Sequence, residues 1–416
     1  MEFSRKRWIS LLAAMTCSLF VGIAYSWSVY VNPLSDKFGW TTGEVAMGYT
    51  INVLAMALTP IICGPWRARL TISRYTLIGT FIYGGGIILC SFMRSSVWEL
   101  YLYFGLLVGA GIGIVYLSLA SYVVQLFPDR KGMAAGLFTA CYGCGAIFWA
   151  PAASYIIIAT GNVDMAFRYL GIFFCLVLVI ATRFLYEIPQ GYQGEAGSGA
   201  GPGLSAASVD VAPRRLFTTP LYYIIIGIYS CGLLSGMTFL ALGSPILQST
   251  LEFTPEKAAI IVGLFAVAQT LGRLFWGWIS DRLGRMNVLV LLGLCSCACL
   301  GIIATVSEQI LFISALLALF MCYGAYASLL SPIAVETFGT RYFAMNYNLL
   351  FLSFGMAALI GPQETAFVRA SSGGYEGAYI YAICFAGIAL LCSLLFRVMR
   401  KRRDTANLKM KLELIS

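Results

Sequence analysis

The sequence contains no histidine and little charge. Of its 416 residues, 11% are charged and 60% are hydrophobic, whereas a soluble domain carries about 25% charged and about 45–50% apolar residues. The lack of histidine excludes a Ser-His-Asp triad and a histidine-bound metal, and we expect no metal or cofactor. The low charge excludes a soluble enzyme, a disordered protein and a nucleic-acid-binding protein. It indicates an all-α membrane protein.

Long apolar runs predict the membrane-crossing helices. A spanning helix needs about 20 mostly apolar residues. Twelve such runs lie at 8–32, 43–65, 75–93, 98–124, 132–158, 167–187, 220–248, 257–279, 287–306, 310–335, 344–368 and 377–397. The sequence therefore predicts twelve transmembrane helices.

One long polar break divides these runs into six and six. The segment 188–219 contains a stretch rich in glycine, alanine and serine at 191–203, which is typical of a flexible linker. We expect a six-helix bundle over 1–187, this linker, a second six-helix bundle over 220–397, and a basic tail over 398–416. Such a division is typical of a transporter with two homologous halves.

The distribution of lysine and arginine predicts the orientation. If the N-terminus is cytoplasmic, 21 of the 27 basic residues fall on the cytoplasmic side, five fall on the other side, and Arg273 remains inside a span. Because cytoplasmic loops are enriched in basic residues, we expect both termini in the cytoplasm. We expect a monomer in the cell (inner) membrane, with membrane lipid as a partner and no nucleic acid.

A polar motif follows the eighth run. It consists of Gly277, Asp281, Arg282, Gly284 and Arg285. We expect the glycine at its start to allow close helix packing and the arginines to lie at the lipid headgroups. The motif resembles the signature loop of the major facilitator superfamily, which changes conformation during transport.

Further motifs in the same chain order narrow the resemblance. They are Tyr25-Ser26-Trp27, the glycine-rich run at 109–116, the segment at 127–132, Tyr142-Gly143-x-Gly145, Gly272-Arg273-x-x-x-Gly277 and Asn346-Tyr347. Together they resemble the oxalate:formate antiporter family, which includes bacterial monocarboxylate carriers.

This resemblance implies transport of small carboxylates. It places the substrate carboxylate on Arg273 and implies that Tyr25, Tyr116 and Tyr142 line the cavity. The family's dicarboxylate exchanger has a lysine in the middle of the eleventh helix, where this sequence has Phe354. The missing second cation favours a monocarboxylate over oxalate.

The position of Arg273 indicates an anion site independently of the family resemblance. It lies eight residues before Asp281, which is about 12 Å along a helix. A charge at the bilayer centre costs at least about 2.5–3.5 kcal/mol, so the side chain needs a cavity or a partner. Its planar guanidinium matches a carboxylate. The alternative is a salt bridge inside the bundle, for which Glu364 is the best internal candidate.

Other polar residues could act with this arginine. Gln269 lies one turn earlier on the same helix face, and Tyr323 and Tyr326 could offer hydroxyls to a carboxylate. One cation without a central acid indicates a monoanion, such as lactate, pyruvate, formate or acetate. An empty site would keep a bare positive charge, which favours anion exchange, or proton symport with Glu364 as a candidate proton carrier.

We therefore expect a carrier rather than an enzyme. Three alternatives to a monocarboxylate carrier stay open. The first is an exchanger of dicarboxylate for monocarboxylate. The second is a carrier of a neutral solute, although that would leave Arg273 without a role. The third is a transporter-like anion sensor, which would usually need an added soluble domain or a long ordered tail.

Overall fold

A computed structural model describes residues 3–67, 69–127, 131–189, 192, 210–306, 308–339, 342–372 and 374–413. The central part of the predicted linker, residues 128–130 and 340–341, and the side chains of Asp281 and of the tail from 402 lie outside this description. The described residues form helices and connections, without a strand.

Twelve long helices follow one another in the described chain, and two of them are irregular. The first, α1, consists of Phe3–Val21, a 3₁₀ turn at Gly22–Ser26 and Ser28–Phe38. The fourth, α4, consists of five segments in chain order: α-helix at Val97–Leu100, π-helix at Tyr101–Val108, α-helix at Gly109–Ile112, π-helix at Gly113–Leu117 and α-helix at Ser118–Leu126. The others are α2 (Thr42–Arg67), α3 (Ile72–Cys90), α5 (Lys131–Thr160), α6 (Val163–Thr182), α7 (Pro220–Thr250), α8 (Pro255–Leu283), α9 (Arg285–Thr305), α10 (Gln309–Phe338), α11 (Phe343–Ser372) and α12 (Glu376–Glu413).

All twelve helices contain a stretch that is long and apolar enough to cross a membrane. This confirms the predicted all-α membrane fold with twelve spans. The number is even, so Phe3 and Glu413 lie at the same side of the molecule, here called the terminal face; the other side is called the opposite face.

The two halves pack in the same way. In the first, α1 packs on α5 and α6, α2 on α4, and α3 on α4 and α6. In the second, α7 packs on α11 and α12, α8 on α10, and α9 on α10 and α12. Each pair in the first half thus recurs six helices later. This is the parallel repeat expected of two related six-helix bundles.

The most extensive packing between the bundles is that of α2 on α11 and of α5 on α8. The Thr50 hydroxyl of α2 donates to the Ala358 carbonyl of α11 at 2.7 Å. Near the opposite face, Asn32 of α1 donates through Nδ2 to Gln248 Oε1 of α7 at 3.0 Å. These contacts leave the centre of the molecule, between the two pairs, for a site.

Glycines bring α4 close to α2. A Cβ on Gly109 would lie 2.8 Å from the Cα of Asn52, and one on Gly113 would lie 3.1 Å from the Cα of Met56. Real Cβ atoms hardly ever come as close as the first of these, so the backbones can meet only at glycine. This packing fixes the backbone that carries Asn52 and Met56.

The chain re-enters the second bundle in an ordered way. A single helical turn at Pro213–Leu216 precedes α7. The backbone N–H of Val211 donates to the Phe338 carbonyl at 2.9 Å, and Asn346 Nδ2 donates to the Val211 carbonyl at 2.9 Å. The end of the predicted linker is therefore held against the α10–α11 connection.

Candidate substrate site

A small cavity lies between the bundles, near the middle of the helices. Its volume is about 30 Å³, room for roughly two water molecules. Tyrosines dominate its wall, and those of the described residues are Tyr25, Tyr49, Tyr116, Tyr142, Tyr323 and Tyr347. A cavity of this size and lining suits a ligand of a few heavy atoms with hydrogen-bond acceptors.

Arg273 of α8 supplies the positive charge of this cavity. Its side chain is 6% exposed. Nη1 donates to the Thr139 carbonyl of α5, and Nη2 donates to Gln269 Oε1 at 3.3 Å. Nε is buried and has no hydrogen-bond partner among the described residues. No carboxylate is among the described residues that line the cavity, so the guanidinium has donor capacity for an anion.

Close packing of α5 on α8 places the guanidinium. A Cβ on Gly143 would lie 2.9 Å from Thr270 Oγ1 and 3.3 Å from Arg273 Nη1. On the other side of α8, a Cβ on Gly272 would lie 2.5 Å from the Cα of Met321 in α10. Glycines on both sides therefore allow α8 to pack closely against α5 and α10, and this packing fixes the position of the Arg273 backbone.

The tyrosine rings form a continuous row across the bundle boundary. The ring centroids of Tyr116 and Tyr142 are 4.4 Å apart, those of Tyr142 and Tyr25 are 4.9 Å apart, and those of Tyr25 and Tyr323 are 6.3 Å apart. Spacings of this size are typical of favourable aromatic contacts. The row connects α4, α5 and α1 of the first bundle with α10 of the second.

Several hydroxyls in this row have weak acceptors. The Tyr142 hydroxyl donates to Met56 Sδ at 3.8 Å, and the Tyr323 hydroxyl donates to Met237 Sδ at 3.7 Å. A thioether sulfur is a weak acceptor, whereas hydrogen bonds to an ionised carboxylate are short and strong. A carboxylate in the cavity would therefore attract these hydroxyls away from the methionines.

Irregular helix turns carry two of the tyrosines. Tyr25 lies in the 3₁₀ turn Gly22–Ser26, and Tyr116 lies in the π-helical turn Gly113–Leu117. Short segments of this kind inside helices are often found at functional sites. Both begin with a glycine that packs against a neighbouring backbone, since Gly22 meets α5 and Gly113 meets α2.

The structure thus brings together most of the residues that the sequence singles out, but not all. Arg273, Tyr25, Tyr116, Tyr142 and Tyr323 line the cavity. Gln269 lies behind the guanidinium and accepts its hydrogen bond.

Two candidates lie elsewhere. Tyr326 is fully buried and packs with its ring 5.8 Å from that of Tyr229, away from the cavity wall. Glu364 does not line the cavity either; its Oε2 accepts from the Thr365 hydroxyl at 3.3 Å, and its Oε1 is buried without a partner among the described residues.

The motif at the end of α8 marks a sharp helix boundary. Gly284 has a φ of +82°, which favours glycine, and it separates α8 from α9. Arg285 Nε bonds to Glu336 Oε1, and Arg400 bonds to Glu336 Oε2 at 3.1 Å. The guanidinium of Arg282 lies 3.8 Å from the ring centroid of Trp278. These contacts tie α9, α10 and α12 together at the terminal face.

One expectation about this motif is wrong. A Cβ built on Gly277 meets no atom within 4 Å, so this glycine makes no close helix contact here. The sequence pattern shows where a glycine occurs, but the arrangement of neighbouring helices decides whether its lack of a side chain is used.

Sequence reasoning missed several residues of the cavity wall. On α2 these are Tyr49, Asn52 and Met56, and on α11 they are Tyr347 and Phe351. Both sets recur at helical spacing and so share one face of their helix. That spacing was a usable signal, although an apolar or aromatic stripe more often marks simple packing.

Comparison with known proteins agrees with this architecture. The family model of the Major Facilitator Superfamily matches residues 12–362 and 224–413. The chain belongs to the Major Facilitator Superfamily. The resemblance seen in its sequence motifs is thereby confirmed, and its relatives and fold are those of multi-pass membrane transporters.

Relatives within the Major Facilitator Superfamily include carboxylate carriers. The chain is 26% identical to the oxalate:formate antiporter of Oxalobacter formigenes, covering 91% of this chain and 88% of that protein. It is 24% identical to monocarboxylate transporter 11 of Mus musculus, covering 91% and 84%. It is 23% identical to the uncharacterized MFS-type transporter YhjX of Escherichia coli, covering 86% and 87%.

A solved structure shows the same superfamily fold. It is a bacterial homologue of the human lysosomal transporter Spinster, in an inward-facing and unoccupied conformation. The TM-score is 0.70 at 14% identity, covering 94% of this chain and 97% of that one. At this identity the likeness concerns the fold alone.

Proposed function

We propose that the protein is a secondary transporter of small monocarboxylate anions, which binds the carboxylate at Arg273 and moves it by alternating access. One observation carries this proposal. A buried arginine faces a central cavity with an unpartnered Nε, and no described carboxylate lines that cavity. The printed names of two relatives, an oxalate:formate antiporter and a monocarboxylate transporter, support the same substrate class.

The bound state follows from the available donors. The substrate carboxylate takes the free guanidinium N–H and competes for those given to Thr139 and Gln269. The hydroxyls of Tyr142 and Tyr323 turn from thioether sulfurs to the carboxylate oxygens. One negative charge then meets one positive charge in a region of low dielectric, where the pairing is far stronger than in water.

A second negative charge has no partner in this cavity. Phe354 is part of the cavity wall, and its ring is stacked on that of Phe351 with centroids 4.3 Å apart and planes 7° apart. A phenyl ring carries neither a positive charge nor a hydrogen-bond donor, so it offers nothing to pair a second carboxylate. This supports a monocarboxylate rather than oxalate as substrate.

Transport in proteoliposomes tests the proposal. We expect saturable uptake of labelled lactate, pyruvate, formate or acetate. Dependence on an unlabelled carboxylate inside identifies exchange, and dependence on a pH gradient identifies proton symport. Oxalate competing better than any monocarboxylate would replace the proposal with a dicarboxylate exchanger.

The variant Arg273→Gln tests the site. We expect uptake to fall at least about thirty-fold, because removing one partner of a buried charge pair costs about 2–5 kcal/mol. Arg94→Gln is the matched control, since Arg94 is exposed near the opposite face, and we expect it to keep normal uptake. Equal uptake by both variants would contradict a carboxylate site at Arg273.

The variant Glu364→Gln separates the two modes of coupling. If Glu364 carries a proton, the variant loses uptake driven by a pH gradient and keeps exchange at equal pH. If coupling is pure anion exchange, the variant behaves as the wild type in both assays.

A further inference from the structure

Asn52 lines the central cavity and carries an unused hydrogen-bond acceptor. It lies on α2, is 1% exposed and lines the cavity. Its Nδ2 donates to the Phe104 carbonyl of α4 at 2.8 Å. Its Oδ1 is buried and has no hydrogen-bond partner among the described residues. A buried acceptor without a donor is unfavourable and calls for an explanation.

The orientation of this amide is fixed by its surroundings. The Phe104 carbonyl can only accept, so the Nδ2 group has to face it, and a flipped amide would bring two acceptors together. Gly109 holds the backbones of α2 and α4 in contact, since a Cβ there would lie 2.8 Å from the Cα of Asn52. Oδ1 therefore cannot readily turn toward another donor.

The other polar groups of the cavity suit the carboxylate end of a substrate. They can all donate, namely the Nε of Arg273 and the hydroxyls of Tyr142 and Tyr323, which donate to sulfur in this structure. Formate, acetate and pyruvate carry acceptors only. Of the small monocarboxylates, a 2-hydroxy acid adds one donor, on the carbon next to the carboxylate.

We propose that Asn52 Oδ1 accepts a hydrogen bond from the hydroxyl of a 2-hydroxymonocarboxylate, such as glycolate or lactate, and thereby selects it over the 2-oxo acid. The inference rests on the proposed function, because it takes the carboxylate to lie on Arg273. Both side chains line the same cavity, so one ligand that fills it is in reach of both.

The chemistry sets the size of the preference. A site with a hydrogen-bonding group for a substrate hydroxyl discriminates against analogues that leave this group unpaired. Asn52 is neutral, so we expect lactate to bind about ten-fold more tightly than pyruvate or propionate, in line with a net hydrogen bond of about 1–1.5 kcal/mol. These three acids have the same carbon number and differ in the group on the second carbon.

Competition against labelled acetate tests the inference. In wild-type proteoliposomes, lactate should inhibit acetate uptake about ten-fold more strongly than pyruvate or propionate. In Asn52→Leu, the three inhibition constants should converge while acetate uptake continues. Pyruvate equal to or better than lactate in the wild type, or a lactate preference that survives in Asn52→Leu, would overturn the assignment.

Asn346 offers a matched control. It is likewise fully buried, donates through Nδ2 to a backbone carbonyl and has a buried Oδ1 without a described partner, but it lies outside the cavity wall. We expect Asn346→Leu to lose a similar amount of thermal stability and to keep the lactate preference. Loss of the preference in this variant as well would assign the effect to general destabilisation.

A binding measurement separates this inference from the proposed function. The shift in melting temperature of the purified wild type with lactate, pyruvate or propionate needs neither transport nor a folded variant. A larger shift with lactate supports the role of Asn52 even if liposomes take up no acetate, a result that would contradict the proposed function alone. If the three acids raise the melting temperature equally and all three are taken up, the role of Asn52 is contradicted and the proposed function stands.

Discussion

At the scale of single residues, the described cavity wall carries one positive charge, and on the proposed function this charge would set the number of carboxylates that the site accepts. Arg273 supplies one positive charge, and Phe354 provides an aromatic ring where the resemblance places a second cation. This difference concerns one side chain, so one substitution can test it.

The variant Phe354→Lys should gain affinity for a dicarboxylate. A second cation in a region of low dielectric attracts the second carboxylate, so we expect oxalate to inhibit uptake at least about ten-fold better than in the wild type, on the scale of buried charge pairs. Competition of unlabelled oxalate with labelled monocarboxylate measures this. Phe354→Leu is the control for loss of the ring. Unchanged inhibition by oxalate in a folded Phe354→Lys would contradict a charge-based choice of substrate.

The sequence predicts some residues of the site better than others. Arg273 stands out because one charge in an apolar run has few structural explanations. Tyr323 and Tyr326 are indistinguishable in sequence, since they lie three residues apart on α10; only packing against Tyr229 removes the second from the cavity. Asn52 escapes notice because a single amide in an apolar run does not reveal which side it faces.

At the scale of helices, the α5–α8 contact positions Arg273. Gly143 allows the approach, and three groups of α8 meet α5 here: the Thr270 hydroxyl, 3.5 Å from Cys144 Sγ, the Gln269 amide and the guanidinium. Any side chain at this position has to displace one of them.

The variant Gly143→Ala should therefore weaken transport. Its Cβ would lie 2.9 Å from Thr270 Oγ1 and 3.3 Å from Arg273 Nη1, so the arginine has to shift. We expect at least about a ten-fold rise in KM, since small displacements of a binding group are costly. Uptake kinetics measure this.

Gly136→Ala on the same helix is the control. A Cβ there meets nothing within 4 Å, and alanine favours the helix by up to about 1 kcal/mol. We expect this variant to keep its KM and its melting temperature. A normal KM in Gly143→Ala would show that α5 and α8 can accommodate the added Cβ without displacing the Arg273 side chain.

Hydropathy predicts the helices well but not their irregularities. Length and apolar content decide whether a run spans a membrane, and every predicted run overlaps an observed span, with ends that differ by up to six residues. The 3₁₀ turn in α1 depends on the contact of Gly22 with α5, which a local pattern cannot contain. The predicted basic tail continues α12 as helix to Glu413, because its lysine, arginine, leucine and methionine favour helix although they are too polar for a hydropathy scan.

At the scale of the whole molecule, the two bundles meet near the opposite face. Near the opposite face, Asn32 donates to Gln248 across the boundary, and Gln248 is held by its own bond to Ser244 at 2.9 Å. This bond joins α1 to α7 and forms only when the bundles meet at that face.

The variant Gln248→Leu should shift the protein toward opening at the opposite face. Loss of a hydrogen bond worth about 1 kcal/mol changes the ratio of open to closed states about five-fold. Spin labels at Thr160 and Ser249, both exposed at the ends of α5 and α7, allow the distance across the opposite face to be measured by electron paramagnetic resonance. The distance distribution reports the ratio of open to closed states. The measurement uses a variant that lacks the exposed Cys384.

The same substitution at Gln309 is the control, because this glutamine is exposed at the start of α10 on the same face. We expect its label distances to match those of the wild type. Identical distance distributions in Gln248→Leu and the wild type would show that the Asn32–Gln248 bond does not stabilise closure.

The hydrogen bond from Arg273 to the Thr139 carbonyl joins residues of different bundles. On the proposed function, a carboxylate bound at Arg273 would compete with that carbonyl for the same guanidinium and weaken this contact between the bundles. The same arginine would then both recognise the substrate and hold the two bundles together while the site is empty, which would limit conformational cycling without substrate.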